Sequence, residues 1–364
     1  MGGSFDLVPG TNHDVGVTQP PADRAPRRAD AAPSIRDVAA LAGVSHQTVS
    51  RVLNESPRVR PETRRQVLEV IGRLGYRPSR AARALNLGRA NAVTVLTSDT
   101  MLYGYARVLQ GIEEAARVEG LAVGIRVVES SHVADVRAAT EYVSDASAGG
   151  VIVVAFDPSG TAVLRALPRD IPAVAATEAG GLPDSTRGMI FLDERPASAE
   201  ATRHLLGLGH ATVHHVAIPS ETGTSGRRAG WQDALAAAGV PVPPVLTVGW
   251  DVVSAYHAGQ ILAADDKVTA VLCGNDDIAL AVRRALYEAG RDVPGEVSIV
   301  GFDDVPGCAY RTPALTTVRM DFVGLGRACL AAVAAEIAGS AWPQVALEVP
   351  TLVVRESTAP PKHR

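Results

Sequence analysis

Residues 34–54 read SIRDVAALAGVSHQTVSRVLN, and this stretch decides the fold of the N-terminal part of the chain. Ser34 stands where a helix cap belongs, and Asp37, three positions on, completes a capping-box-like pair. Ile35, Val38, Ala39, Leu41 and Ala42 supply an apolar stripe at helical spacing. Gly43 ends that helix in a tight turn, and Ser45 can cap a second helix running to about Leu53. A helix-turn-helix needs a small residue where its helices cross, a glycine in the turn and an apolar residue that locks the second helix. Ala39, Gly43 and Val49 fill those places.

The second helix has two faces. At about 100° per residue, His46, Gln47, Ser50 and Arg51 share one arc about 140° wide, with Val49, Val52 and Leu53 on the other side. A recognition helix needs this division: one face packs and the other enters the major groove. Arg51 can bridge O6 and N7 of guanine, Gln47 can bridge N6 and N7 of adenine, and His46 is the third candidate for a base contact. Ser45, Thr48, Ser50, Asn54, Arg60 and Thr63 are placed to meet phosphates, which set register without reading sequence. The competing reading is an amphipathic hairpin at a protein interface, and charge argues against it. Residues 34–89 hold eleven arginines against Asp37, Glu55, Glu62 and Glu69, a local charge of +7, whereas residues 90–364 sum to −10 within a chain of net charge −4. A basic module on an acidic body points to nucleic acid at one end and another task at the other.

Outward from this unit, Pro61 opens a third helix that runs through Val67, Leu68, Ile71 and Leu74 to a stop at Gly75. The DNA-binding domain is therefore set at 34–78. Residues 1–33, rich in Gly, Pro, Ala and Asp, are expected to be a disordered leader. Pro78 restarts the chain, and Ser79–Leu87 is compatible with a helix too short to stand alone; the linker is placed at 79–90.

After Asn91 the texture changes. Apolar runs at 92–97, 121–128, 150–156, 171–176, 213–218, 245–248, 270–273 and 297–302 alternate with helix-length segments such as 105–119, 133–147, 196–208, 226–238, 252–264 and 276–289. Continuous Val/Ile/Ala strands with helices between them predict parallel sheets covered on both faces. The units fall into two similar halves with a break near residue 190, so two doubly wound lobes are expected, with ligands at strand carboxyl ends. Ser98, Asn275 and Asp303 lie at such ends, and Asp276 is expected to cap a helix at 277–289. Trp231 is assigned to the core.

Composition closes off other classes. The chain has 364 residues, 46% of them hydrophobic and 20% charged, which is a globular balance. No apolar run approaches membrane-spanning length, and Cys273, Cys308 and Cys329 are too few for a disulfide framework; a cytoplasmic location is expected. The sequence contains no G-x-G-x-x-G, P-loop, G-x-S-x-G or H-E-x-x-H motif. His204, His210, His214 and His215 lack the cysteine or carboxylate framework of a zinc site. Neither cofactor, metal nor catalysis is expected.

The stretches DVAALAGVSHQTVSRVLN, VRPETRRQVLEVIGRLGYRPSRAARALNLG, AGW, CGNDDIALA, SIVGFDD and PALTTVRMDF resemble the LacI/GalR family of bacterial transcription repressors over about residues 34–357. The resemblance implies an N-terminal all-α helix-turn-helix domain followed by an α/β two-lobed, periplasmic-binding-protein-like effector domain at 91–357, with doubly wound parallel sheets. Lobe 1 would hold about 91–191 and 322–349, lobe 2 about 192–321 and 350–357, and 358–364 would be a tail. It implies that 79–87 is a hinge helix that folds on the operator, with Leu85 wedged into the minor groove and Ala82 beside it. It implies that Ser98, Arg227, Asn275 and Asp303 bond the hydroxyls of a sugar, with Trp250, Phe191, Phe322 and Leu102 on an apolar wall; Tyr103 and Tyr105 bring further aromatics near. It also implies a homodimer on near-palindromic operator DNA, and the lack of terminal leucine heptads points away from a tetramer. The alternatives are a purine or protein corepressor in place of the sugar, a solute-binding protein, or an enzyme on a related α/β fold.

Overall fold

A computed structural model describes residues 33–53, 56, 58–76, 92–144, 149–177, 187–220 and 225–362. The chain divides into two compact units, Met1–Arg83 and Ala84–Arg364. The hinge residues Ala82 and Leu85, the leader through residue 32 and Asn54 lie outside the described residues.

The first unit contains helices α1 (Ile35–Leu41), α2 (His46–Leu53) and α3 (Pro61–Leu74). The Asp37 amide donates to Ser34 Oγ at 3.4 Å and the Ser34 amide donates to Asp37 Oδ2 at 2.9 Å, so the capping box is closed in both directions. Gly43 has φ 59, the left-handed conformation that lets α1 turn sharply into α2 without a Cβ clash. Val38, Ala39, Ala42, Val49, Val52, Val67 and Val70 form one buried cluster. Each helix contributes to it at helical spacing, and this shared burial holds together helices that are too short to persist singly.

The second unit opens with β1 (Ala92–Thr97), α4 (Tyr103–Val118), β2 (Ala122–Val127), α5 (Val133–Ser144), β3 (Gly150–Ala155), α6 (Pro158–Ala166), β4 (Ala173–Thr177) and β5 (Gly188–Phe191). It continues with α7 (Arg195–Gly207), β6 (His214–Ala217), α8 (Gly226–Ala238), β7 (Leu246–Thr247), α9 (Val252–Ala263), β8 (Ala270–Cys273), α10 (Asp276–Glu288) and β9 (Ser298–Val300). It ends with β10 (Thr317–Arg319), α11 (Phe322–Ala338) and β11 (Thr351–Val353). The sheet orders are β2-β1-β3-β4-β5 and β7-β6-β8-β9, with every pairing parallel, while β10 and β11 form an antiparallel pair. In each sheet the strand order reverses beside the first strand in sequence, between β1 and β3 and again between β6 and β8. An open α/β sheet leaves a crevice at such a point, outside the strand carboxyl ends.

The doubly wound reading therefore holds for both sheets. The central strand β3 is buried at all six positions, as a strand covered on both faces must be. Trp231 is fully buried, and its indole N–H donates to the Val213 carbonyl at 2.8 Å, so it is core. Helices α4 and α11 cross at a pair of glycines. A Cβ on Gly111 would come within 2.1 Å of the Val323 carbonyl oxygen, and one on Gly326 within 2.2 Å of the Val108 carbonyl oxygen. Only glycine permits that backbone approach.

Two details differ from the sequence expectation. Asn275, not Asp276, caps α10: its side chain accepts the Ile278 amide at 2.8 Å, and Asp276 is the first helical residue. The strands β5, β10 and β11 were not among the apolar runs, because they are three or four residues long and partly exposed or polar. Among the described residues, no helix is long and apolar enough to cross a membrane.

Candidate functional site

On the first unit, His46, Gln47 and Arg51 are exposed along α2, Ser50 is half-buried beside them, and Val49 and Val52 face the core. The polar arc is thus free on the outside of the unit. Ser45 Oγ accepts the Thr48 amide at 3.2 Å and lies 2.9 Å from Thr48 Oγ1, so these two hydroxyls fix the entry to α2. Arg36, Arg51, Arg58, Arg60, Arg65 and Arg73 are exposed, whereas Arg64 turns back to donate to the Ser56 carbonyl at 2.6 Å. Thr63 is half-buried at the start of α3.

On the second unit a cleft opens where the carboxyl ends of the two parallel sheets meet. Leu102, Tyr103 and Tyr105 follow β1, Phe156 follows β3, Thr177 ends β4, and Leu192 and Glu194 follow β5. From the other sheet come Ile218 after β6, Trp250 after β7, Asn275 and Asp277 at β8 and α10, and Asp303 after β9. Arg227 enters from the start of α8, and Met320, Phe322 and Leu325 from the segment after β10. Each residue is where the topology puts a strand end or the first turn of the next helix.

The aromatics form a wall. Tyr105 meets Phe156 edge-on at 5.2 Å between ring centres and Trp250 at 6.3 Å, and Phe322 lies 6.3 Å from both Phe156 and Tyr103. The same lining holds a charged cluster. The Arg227 Nε and Nη2 groups donate to Glu194 Oε1 at 3.1 and 2.9 Å, Nη1 donates to the Gly274 carbonyl, and Nη2 lies 3.4 Å from Asp303 Oδ1. The guanidinium also stacks 4.4 Å from the Phe302 ring centre. Burial raises the Asp303 carboxyl well above the ordinary range, and the Arg227 cation only partly offsets it. Asp303 has φ 106 and Asp304 φ 53, an unfavourable backbone held by its surroundings. The Asp303 amide donates to the Val318 carbonyl at 2.8 Å, and Asp304 accepts from Arg319 at 2.9 Å and Arg355 at 2.6 Å. Four buried polar atoms of the lining have no hydrogen-bond partner among the described residues: Thr177 Oγ1, Glu194 Oε2, Trp250 Nε1 and Asp303 Oδ1. Such atoms call for a ligand or water.

Of the residues singled out from sequence, Leu102, Arg227, Trp250, Asn275, Asp303 and Phe322 are brought together here. Ser98 and Phe191 are outside the lining. Ser98 Oγ is engaged by Asp157, which also accepts the Tyr105 hydroxyl at 2.7 Å and caps α6 through Gly160, while Phe191 is 42% exposed. Sequence reasoning missed Glu194 and Asp157. A buried carboxylate looks like surface charge until its partner, 33 residues from Glu194, is known.

Among the described residues no cluster of three or more His, Cys, Asp or Glu is placed to hold a metal. Cys273, Cys308 and Cys329 are buried, and burial pushes the Cys329 thiol up to about 12 and the other two higher. These thiols are not nucleophiles near neutral pH. The histidines instead make the second unit sensitive to acid. Burial lowers His204, His210 and His214, and takes His215 to about 4. Because His215 binds its proton more weakly folded than unfolded, its contribution is complete above pH 6.5 and declines as pH falls from 6.5 towards 4. Asp303 and Asp276, whose carboxyls burial raises, act in the opposite sense. The expected result is that His215→Gln flattens the acid side of a urea-midpoint profile relative to the unaltered protein.

The family model for bacterial regulatory proteins of the lacI family matches residues 34–79, and that for a periplasmic binding protein-like domain matches residues 202–358. The lactose operon repressor of Escherichia coli (strain K12) is 30% identical over 81% of this chain and 82% of its own length. The crystal structure of the lac repressor dimer bound to operator and the anti-inducer ONPF is similar with a TM-score of 0.79, at 28% identity, over 90% of this chain and 99% of that one. A transcriptional regulator CelR–cellobiose complex is similar with a TM-score of 0.65, at 28% identity, over 89% and 99% of the two chains. An exposed polar arc on a helix-turn-helix, two parallel sheets meeting at a polar-and-aromatic cleft and a relative matched over most of both lengths agree on one assignment: the chain belongs to the LacI family of bacterial regulatory proteins and is a DNA-binding regulator of transcription.

Proposed function

We propose that this regulator is a homodimeric repressor whose grip on a near-palindromic operator is set by a small carbohydrate in the cleft of the second unit. Arg51, Gln47 and His46 read bases, and Ser45, Thr48, Ser50, Arg60 and Thr63 meet the backbone. Two copies would set two such helices in successive major grooves. Its place of work is the cytoplasm, on the nucleoid, and it performs no catalysis. The hinge roles of Leu85 and Ala82 and the phosphate contact of Asn54 belong to the same reading.

The observation that carries the effector reading is the mixed lining of the cleft. Buried polar atoms without hydrogen-bond partners among the described residues and a cluster of aromatic rings line the same cleft, and Trp250 supplies both. A sugar ring presents hydroxyls at its rim and C–H groups on its face, and matches both. A relative solved as a complex with cellobiose supports this class of ligand. The test is footprinting of the full chain on fragments of its own genome. A protected near-palindrome that fades on addition of particular mono- or disaccharides is expected. Protection that responds to nucleobases and to no sugar would overturn the carbohydrate reading.

A further inference from the structure

The charged groups of the cleft go further than a sugar in general. Among the described residues, Glu194, Asp277 and Asp303 line it with one cation, Arg227. That cation is already engaged. Its three nitrogens face Glu194 Oε1, the Gly274 carbonyl and Asp303 Oδ1, and its plane lies on Phe302. The side chain is 7% exposed, so the pairing is not screened by solvent.

The polar atoms without partners point the same way. Glu194 Oε2 needs a donor, Trp250 Nε1 needs an acceptor, Thr177 Oγ1 can act as either, and Asp303 Oδ1, 3.4 Å from Arg227 Nη2, can meet a hydroxyl whether its carboxyl is charged or protonated. A hydroxyl donates and accepts, so a polyol satisfies all four. A carboxylate or phosphate only accepts. It would set oxygen against carboxylate oxygen in a dry site and find no free cation among the described residues, a juxtaposition of like charges that costs several kcal/mol.

We propose that the effector is an uncharged polyol with an apolar face, a neutral glycoside, and that Glu194 and Asp277 make the cleft reject the anionic forms of the same sugars. This rests on the carbohydrate reading above and adds the charge class. Phosphorylated sugars, uronic acids and nucleotides are thereby excluded, and Glu194 becomes a specificity residue that acts by occupying Arg227.

The test uses the full-length protein at pH 7.5 and matched probes: methyl glucoside, methyl galactoside, cellobiose and lactose against glucuronate, galacturonate, glucose 6-phosphate and galactose 6-phosphate. Binding is read by calorimetry and by release of footprinted DNA. A neutral member is expected to bind at least about a hundredfold more tightly than its anionic counterpart. Glu194→Gln is expected to narrow that ratio about tenfold by loosening Arg227 for an anion. Asp277→Asn, which leaves the buried pair intact, is expected to narrow it by a smaller factor and serves if the first variant fails to fold. An anionic sugar bound as well as its neutral counterpart would overturn the charge class while leaving the carbohydrate reading in place. A ratio unchanged in every variant that folds would overturn the role given to Glu194 and Asp277. Binding of hypoxanthine or guanine with no sugar bound would remove the carbohydrate reading and this refinement together.

Discussion

Arg227→Ala is expected to lower the stability of the protein by about 3–5 kcal/mol and to abolish its response to effector, with operator binding retained. The first part follows from burial. Glu194 and Asp303 are both enclosed, and Arg227 is the one cation within reach of either among the described residues. Removing one partner of a buried ion pair leaves the other charge without compensation, which typically costs about 3–5 kcal/mol. The second part follows because the lost side chain also fixes the orientation of Glu194 and ties the first turn of α8 to the Gly274 carbonyl, beside Asn275. Urea denaturation and a gel shift with and without sugar separate the two effects. Adding Glu194→Gln to Arg227→Ala removes one of the two carboxyl groups left without that partner. That double variant is expected to recover part of the stability and none of the response. A single variant that melts like the unaltered protein and still responds would show that this arginine is not the centre of the cleft.

Arg51→Ala is expected to erase most of the preference for the operator and to leave weak, salt-sensitive binding to any duplex. Arg51 is exposed on the outer arc of α2 and lies in its last turn. A bidentate pair between arginine and guanine contributes roughly 1–3 kcal/mol of discrimination, so specific affinity is expected to fall by about 5- to 150-fold for each half-site engaged. Phosphate contacts made by the other exposed arginines, such as Arg58, Arg60 and Arg65, are sequence-independent and would persist. The measurement is a competition titration with operator and random duplex at two salt concentrations. An equal loss on both duplexes would assign Arg51 to the backbone.

Much of the fold is legible in the chain because its strongest signals are local. The capping box of Ser34 and Asp37, the turn at Gly43 and the proline that opens α3 each act over four residues or fewer. The sequence therefore displays them directly, and the structure places them where they were read. The buried strands are legible for a related reason: a strand covered on both faces has no polar alternation to interrupt its apolar run, as GVIVVA at 150–155 shows. Short elements are harder. β5 is four residues, none fully buried, and α6 is nine residues behind an Asp-Pro pair that also reads as a turn.

The cleft was legible as far as its residues sit at strand ends, which the alternation of elements locates. What sequence does not display is pairing across long separations. Ser98 looked like a ligand group because it ends the first strand, yet its hydroxyl is taken by Asp157, 59 residues on. Glu194 and Asp157 carry the same formal charge as carboxylates on the surface, and only the folded chain shows them enclosed.

The claim on which the rest depends is that a ligand in the second unit changes how tightly the first holds DNA. Its most direct measurement is the equilibrium affinity of the full-length protein for its footprinted operator, with no sugar and at saturating neutral sugar, paired with the sugar affinity measured with and without operator. Coupling between sites is reciprocal and typically about 1–3 kcal/mol, so both affinities are expected to change by the same factor, roughly 5- to 150-fold, and in the same direction. An operator affinity that is identical at every sugar concentration, with sugar binding independently shown, would contradict it.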